Sequence, residues 1–272
     1  MLPNLYLLIL NQSIINPDTI PTLIVSLVTI LIVLFTTYHK KSREKFKIRE
    51  INGLRAVEDA IGRATEMAHP VLYTPGWGGD IQRPTTIASM NILSQVAEKT
   101  AAYDCQLVYP THDPVIMTVA QEVVKSAYSK VGFPDRFKPD DIQYVSSSQF
   151  GYAAAVDGLI SRTKPASIFL LGTFEAESLI LAETGNSINA IQIAGTDSTI
   201  QLAFFIVACD YTLIGEELFA ASGYLSGDKS ILASVRSQDI MKVLILIFLI
   251  IAVIWATIES LTGNSLSGWW NF

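Results

Sequence analysis

Two apolar segments, each 19 residues long, constrain this chain more than any other feature of its sequence. They are Ile20–Tyr38 and Ile240–Ile258, and each is close to the roughly 20 residues that a helix needs to cross a lipid bilayer. The stretch between them has the composition of an ordinary globular domain. We therefore expect transmembrane helices at residues 20–38 and 240–258, with a folded body between them.

Lysine and arginine are distributed unevenly, although the net charge is only −6. Residues 1–19 and 259–272 contain neither, so all 19 basic residues lie from Lys40 to Lys242. The positive-inside rule then places the basic neck at residues 39–53 on the cytoplasmic side of the membrane. The prediction is a cell-membrane protein with two helices, external tails at residues 1–19 and 259–272, and a cytoplasmic domain at residues 54–239.

Charge and cysteine content narrow the range of partners. The chain outside the neck is acidic, which argues against nucleic acid. Cys105 and Cys209 lie in apolar stretches and form no CxxC or Cys/His cluster, so we expect buried free thiols and no metal site. The expected partner is the lipid bilayer, and no residue pattern identifies a cofactor.

Strand and helix patterns alternate from Leu54 to Ser226. Short apolar runs such as Val71–Thr74 and Ser167–Leu171 alternate with longer helical patterns such as Pro114–Lys130. This alternation is typical of βαβ units with right-handed crossovers. The predicted fold class is α/β, a mostly parallel, doubly wound, Rossmann-like sheet with one transmembrane helix before it and one after it. The predicted strands are residues 71–74, 106–109, 142–146, 167–171, 190–194 and 211–215.

The segment Thr199–Cys209 is apolar on every side apart from Gln201. A helix of this kind must be covered all round, and a sheet covers one side only. We therefore expect it to lie centrally in the domain or in a contact between copies of the chain, which makes a homo-oligomer the expected assembly. The alternative is that Ala190–Cys209 forms a third membrane helix, interrupted by Asp197.

Small and polar residues follow five of the predicted strands. In parallel sheets, ligands bind beyond the carboxyl ends of the strands, so these segments form the candidate pocket. Strand-to-helix turns and helix caps also need such residues, which is the structural alternative for each segment. The candidate ligand-binding residues are Gly76, Gly78, Gly79, Asp80, His112, Asp113, Ser148, Glu175, Thr196 and Asp197.

The chemistry of this edge stays open. The run GWGGD is neither GxGxxG nor a Walker loop, although the start of the next helix can hold a phosphate. His112 can act as a general base with Asp113, but neighbouring residues on an extended chain point apart, which favours a turn instead. No three residues have the spacing of a catalytic triad, so the catalytic residues are unknown and the sequence does not decide whether the chain is an enzyme.

Four long strings carry a resemblance to a known family. They are GRATEMAHPVLYTPG, DDIQYVSSSQFGYAAAVDGLI, ESLILAETGNSINAIQIAGT and ACDYTLIGEELFAASGYLSG. Together they resemble an uncharacterised prokaryotic membrane-protein family, a domain of unknown function, over Leu54–Lys242 and the flanking hydrophobic helix. The resemblance implies the same membrane-anchored architecture and brings no catalytic residues.

Two hypotheses for the function follow. The first is a non-catalytic scaffold or interaction protein, in which the anchored domain self-associates through Thr199–Cys209. The second is a membrane-bound enzyme or sensor that binds a small anionic ligand, a nucleotide or sugar phosphate, at the strand ends. The first ranks higher because no catalytic motif is present and oligomers are common.

Overall fold

The computed structural model describes residues 20–38, 52–226 and 229–262. The predicted tails at residues 1–19 and 259–272 and the neck at residues 39–53 lie wholly or mostly outside these ranges. The described residues form two compact units. One unit is the α/β body, which ends at Leu232, and the other contains the first helix and the last helix from Ala233 onward.

The described ranges contain nine α-helices and six strands, in the predicted alternation. The helices are α1 Ile20–Tyr38, α2 Asn52–Met67, α3 Pro84–Ala102, α4 Pro114–Lys130, α5 Gln149–Thr163, α6 Glu177–Ser187, α7 Thr199–Ala208, α8 Glu216–Ser226 and α9 Lys229–Thr262. The strands are β1 Val71–Thr74, β2 Leu107–Thr111, β3 Ile142–Tyr144, β4 Ser167–Leu171, β5 Ile191–Thr196 and β6 Tyr211–Ile214.

The six strands form one sheet in the order β3-β2-β1-β4-β5-β6. Every neighbouring pair is parallel, which confirms the predicted α/β class. This order is that of the doubly wound Rossmann sheet. Several strand boundaries differ from the prediction: β2 extends to Thr111 and β3 ends at Tyr144. The largest consequence is at β5, where Gly195 and Thr196, expected in a loop, belong to the strand and pair with Leu213 and Ile214.

Alternate residues of each strand face opposite layers of helices. Val71 and Tyr73 of β1 pack in a core with α2, α3, α4 and α8. Leu72 faces the other side, in a core with α5, α6 and α7. A strand covered on both faces reads as a continuous apolar run rather than as an alternating one, as β4 (SIFLL) does.

The helix α7 is ten residues long, too short to cross a membrane. The alternative of a third membrane helix over Ala190–Cys209 is therefore wrong, because β5 takes up its first part. Phe205 is the one buried residue of α7, and its ring meets that of Phe174 at 5.1 Å between centroids. The sheet thus covers one side of α7, as expected.

Within the described ranges, one stretch is long and apolar enough to cross a membrane: Ser234–Ile254, part of α9. It overlaps the predicted span at residues 240–258, but it begins before Ile240 and ends before Ile258. Both stretches lie within α9, which runs unbroken from Lys229 to Thr262. Of the two predicted spans, this one has support. The segment Ile20–Tyr38 forms the helix α1 over the predicted residues, but it is not a candidate span among the described residues, so the prediction of two spans is not supported.

Both cysteines are free thiols, as predicted. Cys105 is buried and Cys209 is half-buried. Burial raises the pKa of the Cys105 thiol, and it raises that of Cys209 to about 12, so both stay protonated at neutral pH.

Candidate functional site

The strand order reverses between β1 and β4, which lie side by side at the centre of the sheet. The chain leaves β1 toward α3 on one face, and it leaves β4 toward α6 on the other. Such a reversal opens a crevice at the carboxyl ends of the strands, where ligands of doubly wound folds bind. The loops at residues 75–83 and 172–176 therefore frame the candidate site.

These two loops are hydrogen-bonded to each other. The Gly78 N–H donates to the Thr173 carbonyl at 2.9 Å, and the Thr173 N–H donates to the Pro75 carbonyl at 3.0 Å. The Thr173 hydroxyl also lies 2.6 Å from the Thr85 hydroxyl, at the start of α3. Protein atoms thus occupy much of the crevice between the two strands.

The glycines of GWGGD make this loop contact possible. A Cβ on Gly76, which has φ +79°, would lie 2.3 Å from the Thr173 oxygen. A Cβ on Gly79 would lie 2.6 Å from the hydroxyl oxygen of Thr86. Close backbone approach is the usual reason for glycine at such positions. The structure thus accounts for Gly76 and Gly79 without a phosphate ligand.

Glu177, in the first turn of α6, joins the two loops to α5. Its side chain is 1% exposed. The Oε1 atom accepts hydrogen bonds from the backbone N–H groups of Trp77 at 3.0 Å and Glu175 at 3.1 Å. The Oε2 atom accepts one from the Gln149 amide at 3.1 Å. Three donors and the positive end of the helix compensate the buried charge.

His112 lies half-buried at the end of β2 and faces the β1 loop. Its Nδ1 atom is 3.1 Å from the Gly76 carbonyl oxygen, so Nδ1 carries the proton that is donated. Its ring lies 6.0 Å, centroid to centroid, from those of Trp77 and Tyr152. Burial lowers the pKa of His112, so the imidazole is neutral near pH 7.

Asp113 does not orient His112. Its Oδ1 atom accepts hydrogen bonds from the N–H groups of Val115 at 2.6 Å and Ile116 at 3.3 Å, which makes it the N-cap of α4. The carboxylate is committed to the helix start, and the preference for a turn over a catalytic pair is confirmed.

Tyr152 closes the cluster from α5. Its hydroxyl is hydrogen-bonded to the Thr74 hydroxyl at the end of β1, and its side chain is fully buried. Burial raises the pKa of Tyr152 well above its ordinary value, so the phenol is neutral. The Trp77 indole N–H donates to the Ser147 carbonyl at 2.9 Å and ties the β1 loop to the β3 loop.

The structure brings Gly76, Gly78, His112 and Glu175 of the predicted set together around Glu177. Glu175 is exposed, and one of its oxygens lies 3.3 Å from the Gln149 amide. The rest have local roles or lie farther along the edge. They are Gly79 and Asp113, described above; Asp80, which accepts from the N–H groups of Gln82 and Arg83; Ser148, exposed before α5; Thr196, buried in β5; and Asp197, exposed beyond it.

The sequence matches the model of a domain of unknown function, DUF6754, over residues 11–267. The chain belongs to the DUF6754 family. No curated protein and no solved structure matches it. The match confirms the resemblance to an uncharacterised family.

Three members of the cluster in this DUF6754 domain are not among the predicted ligand-binding residues: Trp77, Tyr152 and Glu177. Glu177 carried a weak signal, an acidic residue in the first turn of a helix that directly follows a strand end. Tyr152 carried none, because its partner Thr74 lies 78 residues away.

The charge of this edge in the DUF6754 domain is negative. Among the described strand-end loops and first helical turns, Arg83 is the one Lys or Arg, against Asp80, Asp113, Glu175, Glu177, Asp197, Glu216 and Glu217. No three His, Cys, Asp or Glu side chains in the described ranges converge as metal ligands do. The arrangement holds loops together and suits an anion poorly.

Proposed function

We propose that this DUF6754 chain is a membrane-anchored α/β domain that self-associates through α7 as a scaffold or interaction protein. The observation that carries the proposal is the exposed apolar face of α7. Ile200 is 70% exposed, Phe204 38% and Val207 88%. Their spacing of four and three residues places them on one stripe of the helix.

The surroundings of α7 extend this apolar surface. The strand β6, which follows α7, forms the edge of the sheet and exposes Tyr211 and Ile214. The helix α6 packs beside α7 and exposes Leu179 and Ile180. The Ser178 hydroxyl donates to the Gln201 amide oxygen at 2.6 Å and fixes the two helices to each other. Contiguous apolar patches of this kind on a folded body mark interaction sites.

A second copy of the chain fits this surface better than a lipid surface does. Helices that lie on membranes carry Lys and Arg along their polar face. The segment Thr199–Ala208 has neither, and exposed carboxylates flank it at Asp197 and Asp210. Anionic headgroups would repel those carboxylates. Two copies that pack through α7 bring only apolar stripes together, because Thr199–Ala208 contains no charged residue.

Membrane anchoring supports the same proposal. Ser234–Ile254 is apolar and exposed, and α1 is a 19-residue helix whose described leucines are exposed. We propose that both cross the membrane, with the basic neck and the body on the cytoplasmic side and both termini outside. Anchors at both ends confine the body to a plane, so a modest contact suffices because the effective concentration is high.

The test is the molar mass of the full chain in mild detergent, by light scattering coupled to size exclusion, for wild type and Val207→Glu. We expect an oligomer for wild type and a smaller species for Val207→Glu, since a charge in an apolar interface has no partner. The matched control is Val115→Glu: Val115 is 55% exposed, in the first turn of α4. A monomeric wild type, or equal masses for all three proteins, would overturn the proposal.

The second candidate is a membrane-bound enzyme or sensor that binds a small anionic ligand at the strand ends. The observation that favours it is His112, a half-buried neutral imidazole held beside Trp77. A thermal-shift screen with nucleotides and sugar phosphates tests it, because a ligand at 100 times its Kd adds about 2.7 kcal/mol. It ranks second because the carboxylates of this edge repel anions.

A further inference from the structure

A cavity of about 330 Å³ lies at the amino-terminal ends of β2 and β3, opposite the carboxyl ends where the candidate functional site lies. Its volume is at the lower end of the range for small-molecule sites. The residues that line it come from the end of α3, the loop between α3 and β2, the end of α4 and the loop at residues 131–141. They are Thr100, Ala101, Asp104, Cys105, Gln106, Tyr128, Asp135, Arg136, Lys138 and Asp141.

We infer that this cavity binds a small zwitterion, a molecule of free amino-acid size that carries both an ammonium group and a carboxylate. The inference is independent of self-association through α7, since none of the lining residues belongs to α6, α7 or β6.

Contacts with the body hold the outer wall of the cavity in place. The Arg136 guanidinium donates to the Ala101 carbonyl, and its Nε atom lies 3.2 Å from Asp104 Oδ1. The central carbon of this guanidinium group, Arg136 Cζ, lies 4.1 Å from the centre of the Phe133 ring. The ring of Phe137 meets that of Tyr128 edge-on at 6.3 Å. The cavity is therefore formed before any ligand arrives, which lowers the entropic cost of binding.

The lining carries both signs of charge. Arg136 and Asp104 are paired with each other, so the charges that face a ligand are the ammonium group of Lys138 and the carboxylates of Asp135 and Asp141. A ligand with anionic groups alone would meet two carboxylates, and a ligand with cationic groups alone would meet Lys138. A zwitterion gives each sign a partner, so charge complementarity selects it.

The floor of the cavity is polar but neutral. The Thr100 hydroxyl is committed to the Ala97 carbonyl at 3.1 Å, and the side chains of Tyr128 and Cys105 are buried beside it. Burial raises the pKa of both Tyr128 and Cys105, so neither adds a charge. The charges therefore lie on the walls, and the neutral floor suits the short carbon chain between the ends of a small zwitterion.

Asp141 is the carboxylate that the cavity positions best. Its Oδ1 atom accepts a hydrogen bond from the Gln106 amide at 2.7 Å, which leaves Oδ2 for an ammonium group. Asp140 is adjacent in the chain, exposed, and does not line the cavity. These two neighbouring aspartates provide a matched pair of variants.

The experiment is ligand-observed saturation-transfer NMR, followed by calorimetric titration, on the full chain in detergent with the free L-amino acids as probes. Putrescine and succinate serve as the probes of a single charge sign. We expect at least one amino acid to bind and the two single-sign probes to bind at least about tenfold more weakly.

The variants connect binding to the cavity. Asp141→Asn keeps an acceptor for the Gln106 amide and removes the charge. We expect this variant and Lys138→Gln each to bind the amino acid about tenfold or more weakly than wild type does. Asp140→Asn should bind as wild type does. The inference is overturned if no amino acid binds, if a single-sign probe binds as tightly, or if the Asp141→Asn and Asp140→Asn variants bind equally well. An unchanged melting temperature in Asp141→Asn shows that weaker binding does not come from unfolding.

Discussion

The Oε1 atom of Glu177 accepts a hydrogen bond from the backbone N–H of Trp77, 3.0 Å away in space and 100 residues away in the chain. Trp77 follows the first strand of the sheet and Glu177 follows the fourth, so this bond joins the halves of the fold at the point where the strand order reverses. The buried carboxylate therefore lies at the strand reversal, the region where ligands of doubly wound folds bind.

The change Glu177→Ala tests the importance of this bond for stability. It leaves the N–H groups of Trp77 and Glu175 without their acceptor inside the fold, and a lost bond to a charged group costs about 1.5–3 kcal/mol. We expect the melting temperature, followed by circular dichroism, to fall clearly. The control is Glu175→Ala, which removes an exposed carboxylate and should change little. Equal melting temperatures for the two variants would contradict the role given to Glu177.

The close contact of the loops predicts a strong effect of Gly172→Ala. A Cβ there would lie 2.2 Å from the Pro75 carbonyl oxygen, on a backbone with φ +153°. We expect a loss above the 1–3 kcal/mol that an unfavourable backbone conformation costs by itself, measured by urea unfolding. The control is Gly62→Ala, in helix α2, where a Cβ meets nothing within 4 Å. That change should stabilise the protein by about 0.5–1 kcal/mol, since alanine favours helices.

His112 predicts a pH dependence of stability. The unfolded imidazole has a pKa of about 6.5, and burial lowers the folded value, an effect that Asp113 and Glu177 oppose without reversing. Between about pH 6.5 and the folded pKa, the unfolded chain therefore binds more protons than the folded one. The free energy of unfolding falls as the pH is lowered through this range.

The measurement is the melting temperature of wild type and His112→Gln at about pH 7.5 and about pH 5. The decrease on acidification should be smaller in His112→Gln, because the titrating group is gone. An identical decrease in both proteins would show that other groups carry the pH dependence.

Because Asp113 caps α4, its replacement should change the stability of the protein, and two variants distinguish the cap from the negative charge. Asp113→Ala removes the acceptor for the N–H groups of Val115 and Ile116 and should cost about 1 kcal/mol, whereas Asp113→Asn should cost almost nothing because asparagine caps equally well. Denaturant titration of the two variants measures the difference. A similar loss in both would mean that the negative charge, not the cap, is what the fold needs.

Local patterns were enough to predict much of this fold. The bounds of β1, α4 and β4 agree with the prediction, because the apolar runs and the prolines that start helices act within a few residues of each other. The end of β5 was predicted two residues short. Gly195 and Thr196 resemble loop residues, and only their pairing with β6 keeps them in the sheet.

The candidate site was predicted less well, since its contacts join distant parts of the chain. The glycines after β1 were predicted to be ligand contacts, but the atom that requires Gly76 is the carbonyl oxygen of Thr173. Nothing near Gly76 in the sequence identifies that partner. The helix α7 was expected to need cover on all sides, and only the fold shows which side the sheet covers.

The sequence by itself determined the parallel α/β class and the apolar helices, because hydrophobic periodicity and composition act locally. The tertiary structure decided that Glu177 joins the loops at the strand reversal, that Asp113 caps a helix, and that Ile200, Phe204 and Val207 face outward. The physical reason is that hydrogen bonds and burial depend on which distant residues the folded chain brings within a few ångströms.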